Sequence, residues 1–384
     1  SINVFENLKI KRQILVIHIL LLLMNRYTTV PTTLLLPGLI SILKALLMML
    51  FSLLIIFQSF LTAARSTIYL ILHLYMTHRW FHCIPTRLSI HAIMYFYLTS
   101  RLIWSLKKEN IQTVYYMPLA VNTSRLDKMT ASAVSASRHP LDFYRSDISF
   151  VGTMYNEVHN LFDRMEHLSD YTKGYLQGIM QAQMKVYGYY FIEELLSKEI
   201  IEDMQHSLPL QPRSDSVKST EWLFAHYVIA RKIANLERTA LLKAVSEHFN
   251  TKLYTPNPTP ELPQIYNMGS VDYQRQMPYV FKNSAINLNI SLRSIRSGIP
   301  LRCFDIMGCG GFLLSNYQGD FYEHFIPGED LVLFDSQEDF LNKCDYYLKH
   351  DNERLQITAN GYGKVKEFHT YEVRLKEIFE VVFS

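Results

Sequence analysis

Between Glu6 and Glu109 the sequence has no aspartate or glutamate, although the chain carries 35 acids. The same stretch holds one glycine, Gly38, and is rich in Leu, Ile and Tyr. The chain beyond Glu109 has ordinary charge, turns and helix periodicity, so its function is sought there. Cysteine is also scarce. Cys83, Cys303, Cys309 and Cys344 form no CxxC pair and have no accompanying histidine spacing, which excludes a zinc site or disulfide framework. Buried free thiols in a reducing cytosol are expected. A net charge of +3 over 384 residues excludes a nucleic-acid binder that depends on a broad basic face.

The acid-free front supports two readings. Leu39 to Leu61 is apolar apart from Lys44 and long enough to cross a bilayer as a helix. Ile14 to Met24 is too short to span alone, and the basic Lys9, Lys11 and Arg12 are followed by no clear small-residue cleavage site. The other reading comes from the genetic code. The codons for Tyr75 to Cys83, regrouped one base out of step, permit a string containing Asp-Ser-Pro. Those for Met94 to Thr99 permit Val-Phe-Leu-Phe-Asp, an ordinary buried strand. Residues 1–104 are therefore either translated out of frame or contain membrane helices within 14–64. The protein is accordingly expected to be cytoplasmic, or membrane-associated if those helices are genuine.

Residues 105–145 read as the end of an N-terminal domain and a linker. Thr113 to Met117 is a β-branched and aromatic strand stopped by Pro118, and the linker runs through Ala131 to Pro140. Residues 146–366 read as an α/β domain. Asp147 to Val151 is a short buried strand entering Gly152, followed by mainly helical segments over Asn160 to Ser197 and Glu221 to Asn250. Strands follow at Lys252–Tyr254, Ala285–Ile290, Phe312–Leu314 and Leu331–Phe334. Helices separate them at Tyr273–Lys282, Leu301–Met307, Tyr322–Phe325 and Gln337–His350, and residues 367–384 form a C-terminal helix. Short apolar strands between helices imply a doubly wound parallel sheet, in which ligands bind at the carboxyl ends of the strands. The run Tyr171, Tyr175, Tyr187, Tyr189, Tyr190 fits either a sugar-stacking surface or core packing, and is given no function.

The densest signal is the stretch from Ser291 to Gly311. Pro300 starts a helix where a missing N–H costs nothing, and Gly308, Gly310 and Gly311 end it. The amino end of that helix offers unpaired N–H groups to a diphosphate, and Arg293 and Arg302 are placed to add bidentate contacts. Asp305 lies one turn after Arg302 and is a candidate acceptor for a ribose diol. The same spacing also suits a plain surface ion pair with a glycine helix stop.

Ser284 to Tyr371 resembles the glycosyltransferase-like domain of the CgeB family of spore maturation proteins, within the GT-B class of sugar-nucleotide-dependent transferases. The residues that carry the resemblance are Asn287 to Ile290, Gly298 to Arg302, Asp305 to Leu314, Phe325 to Leu331, Asp335–Ser336, Tyr346 to Leu348 and Gly361–Tyr362. Asp147 to Asn160 is similar to the opening of that family's C-terminal domain. The resemblance implies a GT-B-like fold and transfer of a sugar from a nucleotide-diphosphate donor to an acceptor of unknown identity. It places Asp305 at the donor ribose, Gly310 and Gly311 at the glycine turn near the nucleotide, Arg302 at the diphosphate and Gly152 under the donor. Ser297 stands where the more familiar pattern has a further Glu. No cofactor or metal is expected beside the donor substrate, since no DxD pair appears near the site. No catalytic base is assigned; His159 and His324 occupy loop-adjacent positions. The alternatives are a non-catalytic GT-B-fold module for binding or spore-coat-type assembly, and a membrane-anchored glycosyltransferase.

Overall fold

The computed structural model describes residues 73–74, 95–97, 100–108, 110, 114–129, 140–212 and 218–383. All belong to one compact unit spanning 73–384. The Leu39–Leu61 run, the 75–83 segment with Cys83, and the linker over 131–139 lie outside the described residues. Among the described residues no helix is long and apolar enough to cross a membrane.

The first described elements are strands β1 (His73–Leu74) and β2 (Tyr95–Tyr97), helix α1 (Ser100–Lys108), strand β3 (Val114–Tyr116) and helix α2 (Thr123–Lys128). The three strands pair in parallel in the order β1-β2-β3. Pro118 follows β3, where a residue without an N–H cannot extend a ladder.

Strand β4 (Ser146–Val151) opens the main sheet. A long helical insertion then runs through α3 (Asp170–Met184), α4 (Ile192–Leu195), α5 (Lys198–Ser207) and α6 (Thr220–Leu223), and a π-helical stretch at Phe224–Ile229 leads into α7 (Ala230–Ser246). The remaining elements are β5 (Thr251–Tyr254), β6 (Tyr266–Asn267), α8 (Met277–Asn283), β7 (Ser284–Asn289), α9 (Leu301–Gly308), β8 (Leu313–Asn316), α10 (Phe321–His324), β9 (Val332–Phe334), α11 (Gln337–Lys349), α12 (Asp351–Phe368) and α13 (Tyr371–Phe383).

The sheet has six parallel strands in the order β6-β5-β4-β7-β8-β9. The chain builds outward from β4 on one side and then restarts at β7 on the other. The order therefore reverses between β4 and β7, and a crevice opens at their carboxyl ends. Alternation along the strands sorts the two faces. Ile148, Phe150, Ile286, Leu288 and Leu314 pack in one core with Leu241, Leu242 and Val245 of α7 and Phe340 and Cys344 of α11. Val151, Tyr254 and Leu313 pack on the other face with Val280 and Phe281 of α8 and Cys303, Phe304, Ile306 and Met307 of α9. The doubly wound α/β architecture is thus present.

The helical insertion has a third core of its own, including Leu176, Ile192, Met204, Phe224, Val228 and Ile233. It is less helical than its apolar spacing predicts. Asn160 bonds to the backbone N–H and the carboxylate of Asp163, which winds the chain into turns until Ser169 caps α3. Gly188, at φ +76°, lies within the break between α3 and α4. The helix expected from Tyr273 starts only at Met277, because Asp272 first folds the chain into a turn by accepting the N–H groups of Gln274 and Arg275. Pro278 then sits in the first helical turn.

Segment 117–121 and the C-terminal helices are joined by one backbone and one side-chain hydrogen bond. Val121 donates to the His369 carbonyl at 3.0 Å, and Arg374 Nε donates to the Pro118 carbonyl at 2.8 Å. Cys303, Cys309 and Cys344 are buried free thiols, as expected of lone cysteines.

Candidate functional site

The site begins where β4 ends. Gly152 donates to the Tyr254 carbonyl at 3.0 Å, which keeps the strand end registered with β5. The chain then turns sharply. Asn257 Oδ1 accepts the Met154 N–H at 2.8 Å, Asn235 Nδ2 donates to the Met154 carbonyl at 2.8 Å, and Tyr155 takes a left-handed φ of +56°. A non-glycine residue in that region is strained, and here it is held between the bonds of Met154 and that of Asn156, whose Nδ2 donates to the Pro258 carbonyl at 2.9 Å.

Helix α7 buries Ile233, Ala234, Glu237, Arg238, Leu241, Leu242 and Val245, a stripe at helical spacing that includes two charged residues. Arg238 spans the crevice. Its Nε and Nη2 donate to the Ile290 carbonyl beyond β7, and its Nη1 donates to the Thr153 carbonyl beyond β4. Its guanidinium also lies 4.7 Å from the Tyr155 ring centre. The sequence reading passed over Arg238; a lone arginine on the apolar stripe of an amphipathic helix was the available signal.

The neighbouring Glu237 takes Arg293. The two form a bidentate pair, Nη2–Oε1 at 2.7 Å and Nε–Oε2 at 3.0 Å, with both side chains 4% exposed. Arg293 Nη2 donates also to the Met184 carbonyl, and the guanidinium stacks on Tyr187 at 3.1 Å. Burial lifts the Glu237 carboxyl above the usual range against the opposing charge of Arg293. Arg293, a sequence candidate for the diphosphate, is thus engaged with the helical insertion.

Arg302 is placed differently. It sits in the first turn of α9, after Pro300 in extended backbone, where the Leu301 and Arg302 N–H groups precede the first bond of the turn, Cys303 N–H to the Pro300 carbonyl at 2.9 Å. A Cβ built on Gly152 would lie 3.1 Å from Arg302 Nη1, so the guanidinium rests against the bare backbone at the end of β4. Its Nε is buried with no acceptor among the described residues. Burial, and next the charge of Arg238, lower its hold on the proton, opposed by Cys303 and Asp305. Two cations thus stand close together at the topological switch point, one of them with an unsatisfied N–H. Such an arrangement favours an anion.

Asp305, one turn further along α9, is 6% exposed. Burial raises its carboxyl to about 6, against a hydrogen bond from Tyr273 and the charges of Arg302 and Arg125. Tyr273 Oη donates to Asp305 Oδ1 at 3.0 Å. Sequence reasoning missed Tyr273 because its loop has no pattern that points at Asp305.

The structure brings Gly152 against Arg302 at the amino end of α9, with Asp305 one turn further along the helix. Gly310 and Gly311 lie past its carboxyl end. Gly310 takes φ +70° and donates to the Met307 carbonyl, a left-handed helix stop. A Cβ on Gly311 would lie 2.8 Å from both Asn287 Nδ2 and the Phe281 carbonyl, so that glycine lets α9 pack against β7 and α8. His159 is exposed. His324 is half-buried and stacked on Tyr116, with its Nε2 2.9 Å from the Tyr116 hydroxyl. The same hydroxyl donates to Asp320, which accepts the Gly298 N–H at 2.7 Å and so ties the loop before α9 to β3. Tyr116 and His324 border a cavity of about 750 Å³ lined also by Pro118, His369, Arg374 and Glu377. Among the described residues no cluster of His, Cys, Asp and Glu is suited to a metal ion.

Comparison with known proteins adds the following. No curated protein matches the chain in sequence. Among solved structures, a sucrose-phosphate synthase from Thermosynechococcus elongatus is similar over 76% of this chain and 58% of its own, with 12% identity and a TM-score of 0.41. HepE from Anabaena, in complex with UDP and glucose, is similar over 75% of this chain and 62% of its own, with 9% identity and a TM-score of 0.40. TarM is similar over 76% of this chain and 43% of its own, with 8% identity and a TM-score of 0.37. The chain thus spans less than two thirds of the length of each of these proteins. Residues 233–380, from α7 into α13, match the family described as glycosyl transferase-like.

Proposed function

We propose that the chain binds a nucleoside-diphosphate sugar and transfers the sugar to an acceptor, as a CgeB-like glycosyltransferase of the GT-B class. The observation that carries this reading is Arg302. It is a guanidinium at the amino end of α9, lying on the Gly152 backbone at the switch point, with a buried N–H that no described residue accepts. A diphosphate would supply both the acceptor and the opposing charge. The match of residues 233–380 to the glycosyl transferase-like family supports the same reading.

Each group then has a chemical task. Cleavage of the bond between sugar and diphosphate leaves negative charge on the departing phosphate oxygen. Arg302 and the free N–H groups of α9 stabilise that charge without reorganising, because strand, helix and glycine already fix them. Arg238 acts on the frame, holding the Thr153 and Ile290 carbonyls so that the two strand ends keep their spacing. Asp305 accepts hydrogen bonds from the ribose and orients the nucleotide. The carboxylate is the form that serves, so binding strengthens as the pH rises through about 6. The proton lost by the acceptor is assigned to no residue.

The test is calorimetric titration of the full chain with UDP, ADP, GDP and CDP, followed by assay of the matching sugar nucleotides for diphosphate release. Binding of one diphosphate by the wild type, lost in Arg302→Met, is the expected result. Absence of binding, or an Arg302→Met protein that binds equally well, overturns the proposal. Tight binding without turnover toward any acceptor or water assigns the chain to the non-catalytic binding modules.

A further inference from the structure

The acceptor assigned to the ribose is already in use. Asp305 Oδ1 receives the Tyr273 hydroxyl at 3.0 Å, and the two partners differ sharply in burial. Asp305 is 6% exposed, whereas Tyr273 is 44% exposed. Tyr273 keeps close to half of its surface in water, and its hydroxyl is the part that meets the buried carboxylate.

The loop that carries Tyr273 is held by contacts that do not pass through its side chain. Asp272 accepts the N–H groups of Gln274 and Arg275, its own N–H donates to Gln276 Oε1, and Arg125 Nη1 donates to the Gln274 carbonyl at 3.0 Å. The loop therefore keeps its place whether or not the Tyr273 side chain stays on Asp305. Rotation about the side-chain torsions is enough to release the carboxylate.

The chemistry of the two hydroxyls is the same. A vicinal diol satisfies a carboxylate by giving one O–H to each oxygen, and Tyr273 now supplies the O–H on Oδ1. We infer that Tyr273 is a stand-in for the donor ribose, giving its O–H to Asp305 Oδ1 and yielding that place to a ribose hydroxyl when a ribonucleotide binds. The inference rests on the donor reading above. Tyr273 keeps a buried carboxyl partnered, and binding exchanges one hydroxyl donor for another. Tyr273 is thus a positioning residue whose hydroxyl weakens donor affinity and whose absence strengthens it.

The experiment compares wild type with Tyr273→Phe, using whichever of UDP, ADP, GDP and CDP the wild type binds best, together with its 2′,3′-dideoxy counterpart. The variant should bind the ribonucleotide about tenfold more tightly, since a hydrogen bond to an ionised acceptor no longer has to be broken. It should bind the dideoxynucleotide as the wild type does, because that ligand leaves Tyr273 in place. A second measurement needs no nucleotide. Loss of the Tyr273 bond should move the acid-range stability transition of the free protein to higher pH, because that bond lowers the Asp305 carboxyl. Unchanged or weaker ribonucleotide binding by the variant, or equal tightening for the dideoxy form, overturns the inference while the donor reading stands. If the wild type binds none of the diphosphates, both fall.

Discussion

Gly152 and Arg302 form one wall of the candidate site: the space a Cβ would take at position 152 ends 3.1 Å from Arg302 Nη1 and 3.1 Å from the Phe150 ring. Phe150 is fully buried, so Gly152→Ala should shift the arginine by a few tenths of an ångström from the strand end. Overpacking of this kind costs about 1–3 kcal/mol. Urea unfolding should show that loss, and calorimetry should show nucleoside-diphosphate affinity reduced about tenfold or more. Unaltered affinity would remove Gly152 from the site.

Arg302→Met should separate stability from binding. The substitution keeps an unbranched stem out to the position of Nε and removes a cation whose Nε has no acceptor among the described residues. The free protein is expected to gain stability at pH 7, while diphosphate affinity falls by about a hundredfold for lost charge-assisted contacts. Arg302→Lys should recover only part, since an ammonium lacks the planar fork.

Asp305 gives a pH signature. Its carboxyl is raised from 3.8 to about 6 in the folded protein, so the native state holds this proton more tightly than the unfolded chain. The associated stability is present below about pH 4 and is lost as the pH rises toward about 6, to a total of about 3 kcal/mol. Asp305→Asn should abolish that fall and leave the free protein more stable at pH 7, yet weaken ribonucleotide binding about tenfold or more. Chemical denaturation at several pH values reads the first effect and calorimetry the second.

Glu237 and Arg293 should behave as architecture. Removing one partner of a pair that is 4% exposed on both sides strands a buried charge, at about 3–5 kcal/mol. Glu237→Gln and Arg293→Met should each lose that much in urea unfolding, and the double variant much less than the sum. A large coupling energy in this cycle would assign Arg293 to holding the insertion on the loop after β7. Independent losses together with a collapse of diphosphate affinity would instead return it to the donor.

The parallel strands were legible because each is a short apolar run closed by turn residues. Asp147–Val151 and Ala285–Ile290 fall within a residue of the observed β4 and β7. The two-residue β6 was not legible, since Tyr266 and Asn267 are both exposed and have no alternation to read. The placing of Arg302 and Asp305 one turn apart on a single helix was legible from their spacing. The site was hidden where it depends on distant partners. Nothing near Arg293 in sequence announces Glu237, and nothing near Asp305 announces Tyr273. Glycine was ambiguous for a physical reason: Gly152 permits a close approach, whereas Gly310 ends a helix and Gly311 permits packing, and all three look alike in a sequence.

The insertion after β4 also bears on how the chain finds its fold. Ile148 pairs with Thr251 and Ser146 with Ser284, so the central strand has no partner among the residues that directly follow it. Closing a loop of that length before any ladder forms is entropically costly and slow. The helices between them contact one another locally and have a core that does not involve the sheet. Formed early, they shorten the effective distance between β4 and β5 and deliver Arg238 beside the two carbonyls it holds. The segment that departs most from a simple doubly wound pattern is then the one that lets the sheet nucleate. Variants that loosen its core should slow refolding more than variants in α11 that cost the same stability.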